Sequence, residues 1–154
     1  MNKLPSTKRS LPIALIRARE KVMEPIREML SETGLTEQQW RILRILSEYG
    51  PQEASRPADQ AALLLPSQTR IVQTMTEKQL VTRQPHKTDR RKQTIAITQT
   101  GQGIIDQNLM LASAIATSFV TTLGQERYDQ LLDILATFED LWGLKLFSRC
   151  TCKT

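Results

Sequence analysis

A chain of 154 residues, 40% hydrophobic and 24% charged, is long enough to bury one core and has the balance of a globular domain rather than a disordered tail. No continuous apolar run approaches the roughly 18 residues that span a bilayer, and the opening MNKLPSTKRS lacks the apolar stretch of a secretion signal, so a single cytoplasmic unit over 1–154 is expected. Cys150 and Cys152 stand one residue apart near the end with no second pair of ligands beside them, so neither a metal nor a cofactor is expected. Of the net charge of +5, +4 is concentrated between Arg83 and Lys92, where Arg83, Lys87, Arg90, Arg91 and Lys92 face the single acid Asp89. Charge focused in this way suits a polyanion.

The first segment, from Leu11 to Leu30, places Leu11, Ala14, Leu15, Ala18, Val22, Ile26 and Met29 at three- and four-residue spacings, which predicts an amphipathic helix. Pro25 removes one of its backbone hydrogen bonds, so a kink or break is expected there. Thr36 with Gln39 three residues on forms a capping-box pattern for a second helix, running to about Glu48 before Gly50 and Pro51. Its main apolar face is Leu35, Ile42, Leu43, Ile45 and Leu46, while Trp40 points nearly the opposite way and needs a second surface. Ser55 is placed to cap a short third helix through Leu64, and Pro66, favoured at a first helical position, restarts a fourth that extends to Gln79. On that helix Ile71, Val72 and Met75 face inward, and Thr69, Arg70, Gln73, Thr74 and Glu77 face outward.

Val81 to Gln84 and Gln93 to Thr98 read as the two strands of a hairpin whose long tip carries the basic cluster. Helical spacing returns after Gly101, first to Thr122 and then from Gln125 to about Leu146, where Leu131, Leu132, Ile134, Leu135, Phe138, Leu141 and Trp142 supply more apolar surface than one small domain buries by itself. The fold class is therefore mainly α, a winged helix-turn-helix over 35–98 flanked by dimerisation helices over 11–33 and 99–146. In a helix-turn-helix the second helix of the pair enters the major groove, its first residues meeting base edges and phosphates. Ser67, Gln68, Thr69, Arg70 and Gln73 have suitable chemistry, since arginine bonds guanine and glutamine bonds adenine in bidentate fashion. Lys87, Arg90, Arg91 and Lys92 on the wing would neutralise phosphates.

Taken in order, Leu35-Thr36-Glu37-Gln38-Gln39-Trp40-Arg41, Leu65-Pro66-Ser67 with Thr69-Arg70-Ile71-Val72, Asp89-Arg90-Arg91, and Ile97-Thr98 before Gly101 resemble the MarR family of bacterial regulators across nearly the whole chain. The resemblance implies an obligate dimer whose terminal helices intertwine, repression relieved by a small phenolic ligand, and an Asp89–Arg91 pair that stabilises the wing and holds Arg91 for the minor groove. The first helix, with Ala14-Leu15 and Arg17-Ala18-Arg19-Glu20, further resembles the subgroup that represses homoprotocatechuate degradation. Two positions depart from the family pattern: Pro57, where an apolar helix residue is common, and Gln68, where the recognition helix usually buries an aliphatic one.

Two readings stand for Trp40 and Arg44. Either the tryptophan packs against the first or fifth helix, or both residues, with Arg19, surround an aromatic carboxylate, which a guanidinium binds in a planar, bidentate way. The expected partners are double-stranded DNA with a pseudo-palindromic operator, a second copy of the chain, and a small aromatic acid. An architectural winged-helix protein without an effector is the alternative. No carboxylate pair, glycine-rich phosphate loop or anchored nucleophile indicates an enzyme.

Overall fold

The computed structural model describes residues 6–53, 65–85 and 92–140, with the side chains of 65–68 and 139–140 left outside the description. The expected Ser55–Leu64 helix, the wing tip with His86, Lys87, Asp89, Arg90 and Arg91, and the terminal Cys150 and Cys152 all lie outside the described residues. The chain divides into two compact units, Met1–Ala112 and Ser113–Thr154.

The first unit opens with a 3-10 turn at Thr7–Arg9 and continues through α1 (Leu11–Leu30), α2 (Glu37–Tyr49), β1 (Gln52–Glu53), α3 (Leu65–Glu77), β2 (Val81–Pro85) and β3 (Gln93–Ile97). Helix α4 (Gln99–Leu123) begins in this unit and ends in the second, which also holds α5 (Gln125–Asp140). Between those two helices Gly124 takes φ +80°, a left-handed turn at which glycine has no Cβ to strain.

Helix α1 runs unbroken through Pro25, against the expectation of a break. The proline removes only one backbone bond, and a side-chain bridge within the same helix spans it: the Arg27 guanidinium donates to the Glu20 carbonyl at 3.1 Å and to the Glu20 carboxylate at 2.9 Å. The capping box of α2 forms as the sequence predicts, with Gln39 N–H donating to Thr36 Oγ1 at 3.2 Å and Thr36 N–H to Gln39 Oε1 at 3.1 Å. Within α2, Ile42, Leu43 and Leu46 are fully buried. Trp40, expected to need a second surface, finds cover within the chain and is only 6% exposed.

Helix α3 starts one residue ahead of Pro66 and ends in a Schellman motif. Leu80 N–H donates to the Met75 carbonyl at 2.9 Å and Gln79 N–H to that of Thr76 at 2.9 Å, with Gln79 in the left-handed position at φ +57°. Leu80 and Met75, which this motif brings together, are both buried, so the cap is closed by an apolar contact as well as by hydrogen bonds.

The sheet has order β1-β3-β2, all antiparallel. The hairpin β2–β3 matches the sequence reading, with Val81 opposite Ile97 and Pro85 opposite Gln93. The third strand, β1, was not expected. Two residues, Gln52 and Glu53, carry no strand pattern of their own, and they become a strand only because they return beside β3, Gln52 opposite Ile95. The core of the first unit sits between α2, α3 and this sheet, where Met75, Val81 and Ile95 are fully buried with the α2 residues.

By length and composition alone, the 25 residues of helix α4 are long and apolar enough to cross a membrane, although they contain no unbroken apolar run. The sequence reading looked for an unbroken apolar run, whereas here alanines, threonines and serines alternate with the larger apolar residues and hold the charge count low.

At the start of α4, Gly101 lies against the backbone of the α3–β2 junction. A Cβ there would collide with the Leu80 carbonyl oxygen and meet Ile97 Cγ1 at 3.0 Å and the Cδ2 of the fully buried Leu43 at 3.2 Å. Gly103, two residues on, faces open space. Urea unfolding should therefore show Gly101→Ala destabilised by about 1–3 kcal/mol through overpacking, and Gly103→Ala stabilised by about 0.5–1 kcal/mol because a helix interior prefers alanine. Equal effects at the two positions would contradict the close approach of Gly101.

Candidate nucleic-acid interface

Helix α3 is presented to solvent by the way its other face is held. Val72 and Met75 are buried, so the residues on the opposite side of the helix stand outward. Thr69, Arg70, Gln73 and Glu77 are exposed, as expected, while Thr74 is half-buried and its hydroxyl donates to the Arg70 carbonyl at 3.0 Å. Gln73 is committed to its own helix as well: its amide donates to Glu77 Oε1 at 3.1 Å. Glutamine donates this bond through its amide nitrogen and keeps its carbonyl oxygen as an acceptor. Ser67 and Gln68 lie on the first turn of α3, with their side chains outside the description.

The far end of α3 is tied to three other parts of the first unit. Lys78 Nζ donates to the Gly34 carbonyl at 3.2 Å, joining it to the turn between α1 and α2. Thr98 Oγ1 lies 2.6 Å from the Gln79 carbonyl oxygen and 3.0 Å from that of Leu80, and accepts the Gly101 N–H at 3.0 Å. One threonine therefore caps α4 and fixes the end of α3 against the exit of the wing. The sequence singled out Thr98 as the end of a strand and as part of the Ile97-Thr98 wing exit, not as a cap. Its role follows from a contact across 19 residues, for which no local signal exists.

On the wing, Arg83 is exposed on β2 and Lys92 stands at the root of β3. Lys92 is not a free cation: its ammonium lies 3.3 Å from Oε1 and 3.2 Å from Oε2 of Glu53 on β1. The other expected wing residues, Lys87, Arg90 and Arg91 with the Asp89–Arg91 pair, fall outside the described residues.

For the expected effector site the structure separates three fates. Trp40 is buried, Arg44 one turn later is exposed, and Arg19 is taken up in an ion-pair ring. In that ring Arg19 reaches Glu20 at 2.9 Å and Glu37 at 2.8 Å, and Arg27 reaches the same two carboxylates at 2.9 Å and 3.0 Å. Each arginine thus bridges both acids, and Glu37, on the first turn of α2 where the helix dipole favours an anion, is the member that links α1 to α2. The hydrogen bond to Glu37 is the largest influence on Arg27; desolvation opposes it, and the bond to Glu20 adds to it, so the guanidinium is held above its ordinary pKa. An arginine is charged throughout the working range in any case, so this shift brings no pH dependence. An open cleft of about 300 Å³ lies beside the ring, lined by Arg27, Leu30, Ser31, Gly34, Leu35, Thr36 and Glu37. None of Arg19, Trp40 and Arg44 lines it. Sequence reading assigns Arg27 no role and shows Glu37 only within the Leu35–Arg41 run; their pairing is recognisable only once α1 and α2 are packed.

Comparison with known proteins matches residues 35–93 to the MarR family. The chain is 35% identical over 129 residues to the homoprotocatechuate degradative operon repressor of Escherichia coli, covering 84% of this chain and 87% of that protein. It is 33% identical over 127 residues to the transcriptional regulator FarR of Neisseria gonorrhoeae, covering 82% and 87%. Among solved structures, NadR in complex with 4-hydroxyphenylacetate superposes with a TM-score of 0.77 at 31% identity, covering 90% of this chain and 97% of that one.

The ring has a measurable consequence for the α1–α2 joint. Glu37→Gln removes the charge that both arginines share, so the thermal midpoint should fall by roughly 1–4 °C in low salt. The difference should shrink toward zero near 1 M NaCl, where charges are screened within about 3 Å. A loss independent of salt would mean that Glu37 acts by packing instead.

Proposed function

The chain belongs to the MarR family, and on that premise we propose that it is a transcriptional repressor that binds a pseudo-palindromic DNA operator as a homodimer and is released by a small aromatic acid. The observation that carries the DNA-binding part is the polar face of α3, Thr69, Arg70 and Gln73, exposed over the buried Val72 and Met75 and anchored at its end by Thr98. A reading helix must be rigid at its base and open at its face, because a base contact is specific only if its donor is held in register. Ser67, Gln68, Thr69, Arg70 and Gln73 are the proposed reading set, and Lys87, Arg90 and Arg91 the proposed wing contacts, with Asp89 stabilising Arg91. Such a protein is a regulator rather than an enzyme, and acts in the cytoplasm where its operator is.

Dimerisation is supported by apolar surface that the chain leaves uncovered. Leu11, Leu15, Ile16 and Val22 are exposed on α1, Leu109, Met110 and Leu111 on α4, and Leu131, Leu132 and Ile134 on α5. Large side chains in such numbers are unfavourable in water, and a second copy of the same segments, 11–33 and 99–146, is the proposed cover. A bilayer is a poor alternative for α4, since Asp106, Gln107, Asn108 and a series of serines and threonines would be carried into hydrocarbon.

The effector reading rests on the relatives: one is a homoprotocatechuate operon repressor, and a solved neighbour holds 4-hydroxyphenylacetate. We assign Trp40 as the aromatic wall and Arg44 as the exposed carboxylate partner. Arg19 would join them only by exchanging Glu20 or Glu37 for the ligand carboxylate, an exchange of like for like that relaxes the α1–α2 joint.

Two measurements test this function. Against DNA from its own upstream region, the chain should bind two copies per duplex and prefer it over bulk DNA, and Arg70→Ala should weaken that binding roughly 10- to 100-fold by removing a base contact; equal affinity for bulk DNA would make it an architectural protein instead. In a Trp142→Phe background, 4-hydroxyphenylacetate should change the Trp40 fluorescence and lower DNA affinity, and Arg44→Gln should abolish both responses. No fluorescence or affinity change at millimolar acid would exclude this effector class.

A further inference from the structure

We propose that Glu53 is a built-in counter-charge that holds Lys92 away from the DNA backbone and so keeps the affinity of the wing root for phosphate below what its cations alone would give. The inference rests on the DNA-binding reading above.

The register of the sheet creates the pair. Glu53 stands opposite Thr94 in the β1–β3 ladder, so Lys92, two residues back along the same strand direction, is its diagonal neighbour on the same face. The ammonium meets both carboxylate oxygens, at 3.3 and 3.2 Å, rather than one. Both side chains are reachable from solvent, with Lys92 53% and Glu53 35% exposed, so a phosphate could compete for the lysine. While the pair holds, the two side chains contribute no net charge to a surface on which a polyanion docks.

The consequence falls on the sequence-independent part of binding. Affinity for bulk DNA comes from cations that displace condensed counterions, each phosphate contact contributing about 0.9 to the slope of log affinity against log salt. A lysine neutralised from within the protein withholds that contribution equally from every sequence. Discrimination by the face of α3 then forms a larger share of the total, which is what a regulator searching a long excess of non-operator DNA requires. β1, absent from any reading of local propensity, is thereby given a function: it delivers a carboxylate to the wing.

The test uses the full chain and a labelled 24-base-pair duplex of mixed sequence, with anisotropy read between about 50 and 200 mM NaCl. Glu53→Gln, which keeps size and hydrogen-bonding capacity, should bind roughly 3- to 10-fold tighter at the low end and steepen the salt slope by up to about 0.9. Lys92→Gln alone should leave the slope close to that of the parent chain, and adding Glu53→Gln to it should change little. Unchanged or weaker binding by Glu53→Gln, with an unaltered melting curve, overturns the proposal, as does an equal gain in the Lys92→Gln background, because Glu53 would then act without the lysine. Failure of the parent chain to bind the duplex at 50 mM NaCl is a different result, since it removes the DNA-binding reading itself and this inference with it.

Discussion

The backbone junction where α3 ends, the wing leaves and α4 begins is the constraint on which the rest of the first unit depends. At one point the Leu80 carbonyl accepts the Thr98 N–H at 3.1 Å, the Thr98 hydroxyl reaches the carbonyls of Gln79 and Leu80, and Gly101 presses its bare Cα against the same backbone. The hydrogen bonds among these groups pair backbone carbonyls that the end of the helix would otherwise leave without a partner in the chain. The orientation of the reading face, the exit angle of the wing and the direction in which α4 departs are all set there. A change in any one would have to be shared by the others, which is a physical route by which strain in α4 could reach α3.

Charge in this chain is arranged so that much of it is cancelled locally. The ring of Arg19, Glu20, Arg27 and Glu37 ties α1 to the first turn of α2, and Glu53 neutralises Lys92 at the wing root. Exposed ion pairs of this kind contribute little stability individually. Their value lies in direction: a ring of alternating charges has one geometry, and it braces α1 across Pro25. It also makes the arginines receptive to a competing carboxylate, since an anionic ligand replaces a partner of its own kind.

The apolar side chains divide in a complementary manner. Those of α2, α3 and the sheet are buried within the first unit, whereas α1 buries only Met29 and Leu30 at its end and leaves most of its apolar stripe in water. Helices α4 and α5 carry the same imbalance. A chain that buries its reading head and exposes its flanking helices folds the former by itself and reserves the latter for another surface.

Much of the fold was legible in the residues because the signals are local. The Thr36–Gln39 capping box, the start of α3 within one residue of Pro66, the exposure of Thr69, Arg70 and Gln73 and the β2–β3 hairpin all follow from spacing and capping chemistry within a few residues, and each is present. What escaped depends on partners far along the chain. β1 is two polar residues that become a strand only beside β3; the pairing of Lys92 with Glu53 comes from the sheet register, and that of Arg19 with Glu37 from the packing of α1 on α2. The sequence by itself determined which segments are helices and which faces are apolar, because periodicity and caps act over one or two turns. Only the tertiary structure decided which charges meet, because an ion pair across 18 or 39 residues is made by packing and register and leaves no pattern in the order of the amino acids.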